Sequence, residues 1–133
     1  MPHLIIHYTG NLDAETDMGA LCRKLADTML LVKDEDGKPV FPRGGTRVFA
    51  YPAPHFAVAD EQRDYAFVYL NLRMGRGRTE ATRKRTGDAL AECAKAHFAP
   101  VLDRRYLGVT LQIDEGPEVY DAKYSNIHPL FQK

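Results

Sequence analysis

The chain has 133 residues, 44% of them hydrophobic, enough for one domain with a true core and too few for two. Eighteen Lys and Arg offset eighteen Asp and Glu, so the formal charge is zero and nothing marks a nucleic-acid glove or a membrane-surface protein. Any charged partner has to be read from a local site.

The opening MPHLIIHYTGNLDAE lacks the basic start and long apolar run of a secretion signal, and no stretch approaches the length of a membrane span. Cys22 and Cys93 fall within helical patterns with no Cys or His partner at metal-ligand spacing, which reads as two buried thiols. A soluble protein of the reducing cytoplasm is expected.

Residues 2–8 alternate, with Leu4, Ile6 and Tyr8 on one face and His3, Ile5 and His7 on the other, the period-two pattern of a strand. After a turn at 9–11 the period changes. From about Asp13 to near Val32, Met18, Leu21, Cys22, Leu25 and Met29 recur at three- and four-residue steps and predict a helix. Residues 33–39 are charged and punctuated by Gly37 and Pro39, as suits a solvated hairpin or loop inserted in one domain. Residues 46–51 predict an extended segment that Pro52 and Pro54 keep short or at an edge.

Residues 65–74 give the clearest strand, with Ala66, Val68, Leu70, Leu72 and Met74 on one face. The run Gly75-Arg76-Gly77-Arg78 breaks it, and Thr79 is a candidate N-cap for a second helix. That helix carries Leu90, Cys93, Ala94, His97, Val101 and Leu102 along one stripe. Leu107, Val109, Leu111 and Ile113 predict a closing strand. Strand, helix, strand thus occurs twice, a repeat of elements without close sequence identity. The tail keeps Ile127, Leu130 and Phe131, apolar residues that call for a docking surface.

Three places carry candidate chemistry. Met1 before a small residue is normally trimmed, which leaves Pro2 with a free secondary amine at the start of a strand. Burial or nearby cations favour its neutral form, which can move protons. The turn at 75–79 frees the backbone at two glycines, opens a helix and presents Arg78, so it suits a carboxylate. It lacks the full spacing of a dinucleotide loop. In FPRGGTR at 41–47, Arg43 and Arg47 compete for a similar role, against the ordinary reading of surface charge. The five histidines have no metal-binding spacing. The Tyr65, Phe67 and Tyr69 face reads as packing and not as a base-stacking platform.

With Pro2 opening a strand, FPRGGTR at 41–47, ADEQRDYAFVYLNLRMGRGRT at 59–79 and SNIHPLF at 125–131, the chain resembles the 5-carboxymethyl-2-hydroxymuconate isomerase family of the tautomerase superfamily. The resemblance runs over nearly the whole length. It implies a single α+β domain, residues 1–133, built as a duplicated β-α-β with two helices packed on one face of a four-stranded mixed sheet. It also implies a cytoplasmic homotrimer and a cofactor-free, metal-free isomerisation of a small polycarboxylate in homoprotocatechuate degradation. Nucleic acid and membrane have no part in it. Pro2 corresponds to the general base, and Arg47 and Arg78 to the substrate-binding arginines. Gly-x-Gly-Arg is intact at Arg78, whereas the match at Arg47 depends on a gap inside the 33–40 loop, which is longer than in the relatives.

Two rival readings share these residues. One keeps the fold and Pro2 but decarboxylates or hydrates an unsaturated acid, with Tyr8, Tyr51 or Asp121 to activate water. The other is a non-catalytic trimer whose basic turns hold an anion.

Overall fold

The structure is a computed structural model that describes residues 2–132. Strand β1, His3–Thr9, leads through a 3-10 turn at Gly10–Leu12 to helix α1, Met18–Leu31. Strands β2, Val48–Ala53, and β3, Tyr65–Gly75, follow, then helix α2, Glu80–Leu102, strand β4, Tyr106–Gly116, and a 3-10 turn at His128–Phe131. The sheet order is β2-β1-β3-β4. Each β-α-β unit makes one parallel pair, and the two units join antiparallel through β1 and β3. Parallel pairs need a crossover, and here each crossover is one helix.

The alternation in β1 and β3 decides which face the helices cover. Leu4, Ile6, Val68, Leu70 and Leu72 are fully buried, and they meet Leu21, Leu25 and Met29 of α1 and Leu90 and Phe98 of α2. Truncating a residue such as Leu70 to alanine is expected to cost about 2–5 kcal/mol, through lost transfer energy and the cavity left behind. Urea unfolding would measure it. The opposite face is uncovered: Phe67 is 49% exposed, and Phe49, Tyr51, Tyr69 and Tyr106 are exposed as well.

Three expectations need correction. Helix α1 starts at Met18 and not near Asp13. Tyr8 donates a 2.6 Å hydrogen bond to Asp13, and the amides of Glu15 and Thr16 donate to the Leu12 carbonyl, which holds 13–16 as a turn. The helix begins where Asp17 caps the Ala20 amide at 2.9 Å. At the other helix, Leu102 closes the stripe in sequence but is 48% exposed, because in the last turn it is Val101 that faces the core and Leu102, one position on, is rotated about 100° away from it. Cys22 and Cys93, expected as buried thiols, are only half-buried, because both sit at the margin of their helix stripes and pack against the rim of the core. Pro52 lies in β2, which is an edge strand, and Thr79 caps α2 by accepting from the Thr82 amide. Among the described residues, no helix is long and apolar enough to cross a membrane.

Candidate active site

The sheet register draws the three candidate places together. His3 pairs with Arg73 and Leu4 with Leu72, so one further step sets Pro2 beside Met74, just before the turn at 75–79. On the other side Leu4 pairs with Val48, and its amide donates to the Arg47 carbonyl at 3.1 Å. Buried Pro2 therefore lies between the segment entering β2 and the turn leaving β3, at one end of the sheet. Burial of an amine disfavours its charged form, as do cations nearby.

Arg78 is held, not loose. Its Nη1 donates to the Gly75 carbonyl and its Nη2 to the Val40 carbonyl, both at 2.9 Å. The guanidinium lies 5.8 Å from the centroid of the buried Phe41 ring. Two of its five N–H groups are used in this way, and the rest of the fork can take an anion. Gly77, with φ of +111°, makes the turn that an L side chain would strain.

Arg47 is half-buried and donates from Nη1 to the Gly45 carbonyl at 2.8 Å. It lines a groove of about 460 Å³ together with Arg23, Arg43, Thr46 and Phe131. Arg43 and Arg47, rivals in the sequence, thus face one groove. The tail docks at its rim. A Cβ on Gly44 would come within 2.6 Å of the His128 Cα, and the Arg43 guanidinium sits 5.8 Å from the Phe131 ring centroid. Ile127 and Leu130 stay exposed.

Charge run 33–38 holds a residue that sequence reading passed over. Residues 33–40 fold back as a hairpin-like loop with a bridge between Lys33 and Pro39 and a Val40 amide bond to the Val32 carbonyl. Glu35 Oε1 accepts from the Thr79 hydroxyl at 2.5 Å and from the Thr82 hydroxyl at 2.6 Å. These bonds, Thr79 first, hold its carboxyl below the usual glutamate range, with Arg85 adding a smaller pull. The loop is thereby pinned to the start of α2, and its Val40 carbonyl to Arg78. Because the folded-state pKa is lowered, the stabilisation from Glu35 is full above about pH 4.3, its ordinary value, and is lost as pH falls through the lowered value. A Glu35→Gln variant is expected to show a shallower acid-side fall in Tm than the parent between about pH 5 and 3. Equal slopes in thermal melts would contradict this. Nothing in the sequence separates Glu35 from its neighbours Asp34 and Asp36.

The groups that a water-activating mechanism would use are poorly placed or poorly tuned. Tyr8 lies six residues along β1 from Pro2, about 20 Å at strand rise. Burial and its bond to Asp13 push its hydroxyl up to about 12, too weakly acidic to serve as a base near neutrality. Tyr51 pairs with His7 at that same far end and stacks on it. Asp121 is bound to Lys123 at 2.6 Å, which lowers its pKa. A depression of about 830 Å³ is also at the far end, and Asp13, Glu15 and Asp17 on its wall would repel a polycarboxylate.

The profile of the family described as 5-carboxymethyl-2-hydroxymuconate isomerase matches residues 2–131. The 5-carboxymethyl-2-hydroxymuconate Delta-isomerase of Escherichia coli is 32% identical over 132 residues, 99% of this chain and 100% of that one. A crystal structure of a 5-carboxymethyl-2-hydroxymuconate delta-isomerase is 59% identical, with a TM-score of 0.96, over 100% of this chain and 94% of that one. A 5-carboxymethyl-2-hydroxymuconate isomerase from Deinococcus radiodurans R1 is 38% identical, with a TM-score of 0.87, over 99% and 95%. On this fold and these likenesses, the chain belongs to the 5-carboxymethyl-2-hydroxymuconate isomerase family and is an isomerase of that family.

Proposed function

We propose that the chain ketonises 5-carboxymethyl-2-hydroxymuconate in homoprotocatechuate degradation, in the cytoplasm, with the Pro2 nitrogen as general base and Arg47 and Arg78 as carboxylate holders. The observation that carries this reading is the register, which brings residues 2, 47 and 75–78 to one end of the sheet. Met1 lies outside the described residues, and its removal is part of the proposal. Retained, it would make the nitrogen an amide with no basicity.

In the reaction, the neutral amine takes the proton of the 2-hydroxyl. Electrons move through the conjugated system to form the 2-ketone, the double bond shifts to carbons 3 and 4, and carbon 5 receives a proton from the same nitrogen. One base serves both transfers, and no redox partner or cofactor enters the balance. The intermediate dienolate bears added negative charge, which guanidinium groups already fixed by backbone carbonyls stabilise without reorganising. The same cations favour the neutral amine, so binding and tuning have one cause.

The reading includes a homotrimer. Its support is the uncovered sheet face with five exposed aromatics, the two open sheet edges at β2 and β4, and the exposed apolar tail. Light scattering should give the mass of three chains. The activity test is ultraviolet absorbance of 5-carboxymethyl-2-hydroxymuconate on protein whose terminus is checked by intact mass. Rapid loss of the dienol is expected, and none from correctly trimmed protein would overturn the reading.

A further inference from the structure

The proposed substrate has three carboxylates: two on the muconate chain and a third on the carboxymethyl arm. Arg47 and Arg78 account for two. We propose that Arg43 takes the third and so selects the carboxymethyl substrate over a plain hydroxymuconate; this rests on the reading of the site given above.

Arg43 shares the 460 Å³ groove with Arg47, four residues away and across the turn at Gly44 and Gly45. The third guanidinium of that groove, Arg23, is committed to Asp27 through Nε at 3.0 Å and Nη2 at 2.7 Å, which offsets its charge. Arg43 differs. It is exposed, has no carboxylate partner among the described residues, and lies over the Phe131 ring. A cation oriented by a ring face keeps its N–H edge for an anion. The tail makes that orientation possible: His128 packs on Gly44, where a side chain would collide, and this seats Phe131 beside Arg43. The groove thus offers one guanidinium neutralised, one at the reacting end of the sheet, and one poised beside it for a further negative group. Phe131 is a positioning residue for Arg43.

The test compares 5-carboxymethyl-2-hydroxymuconate with 2-hydroxymuconate, which lacks the arm, on the full trimmed protein and on Arg43→Ala. Where 2-hydroxymuconate is not turned over, its Ki as a competitive inhibitor replaces KM. Arg43→Ala is expected to raise KM for the three-carboxylate substrate roughly 10- to 100-fold, the worth of a charge-assisted pair, and to leave the two-carboxylate compound within about twofold. Phe131→Leu should give the same selective loss, smaller in size, while Phe131→Tyr restores it. An equal effect on both compounds, or no effect on either, overturns the inference. Arg47→Ala serves as the control. Weakened binding of both compounds by Arg47→Ala, with Arg43→Ala non-selective, would sink the role of Arg43 alone. Failure of the parent to convert the three-carboxylate substrate would sink the underlying reading instead.

Discussion

Replacing Pro2 with alanine is expected to lower kcat about 10²- to 10⁴-fold, the usual range for loss of a general base, with a much smaller change in KM. The substitution leaves the sheet intact, because ladder pairing of β1 starts at His3. It also leaves both arginines where backbone carbonyls hold them. What changes is the amine: a primary amine on a flexible terminus replaces a ring nitrogen whose geometry is fixed by the chain entering β1. A variant that keeps Met1 should fall further, since an amide nitrogen has no basicity. Steady-state absorbance with a parallel thermal melt would separate lost chemistry from lost fold. Full activity in the protein that keeps Met1, where the nitrogen is an amide, would remove Pro2 from the mechanism.

Arg78→Ala is expected to act in three ways at once. KM should rise at least 10-fold as a carboxylate loses its charge-assisted fork. The acid limb of kcat/KM should move to higher pH, because removing a cation near an amine raises its pKa and leaves less neutral base at a given pH. Stability should drop by about 1–3 kcal/mol, since the Gly75 and Val40 carbonyls lose their guanidinium donor. Arg78→Lys distinguishes charge from geometry. It should return the pH profile close to the parent while restoring KM only in part, as an ammonium has no planar fork. A pH profile unmoved in Arg78→Ala would show that this cation does not tune the base.

The parts of this molecule governed by local period were legible from the sequence. Alternation in residues 2–8 and 65–74 marked the two central strands and their buried faces, and the run Gly75-Arg76-Gly77-Arg78 marked the turn before α2. Where a side chain competes with the backbone pattern, the reading slipped. Apolar spacing began the first helix near Asp13, but the Tyr8–Asp13 bond and the Asp17 cap delay it to Met18. Long-range polar contacts were hidden for a different reason. Glu35 reaches Thr79 and Thr82 across more than forty positions, and a charge run has the same composition whether solvated or bonded. Of the tail's three apolar residues only Phe131 meets the groove, while Ile127 and Leu130 stay exposed. Which turn the tail meets depends on the close approach of His128 to Gly44, a match of shapes that no single segment encodes.

The most direct measurement is a titration of the Pro2 nitrogen by ¹⁵N NMR on selectively labelled, mass-checked protein, set beside the pH dependence of kcat/KM. A free secondary amine that titrates below the range of an exposed prolyl amine, with a midpoint matching the acid limb of the rate profile, is the expected result. A nitrogen that stays amide-like in active protein, or one whose midpoint is unrelated to the rate, would contradict the assignment of Pro2 as the base.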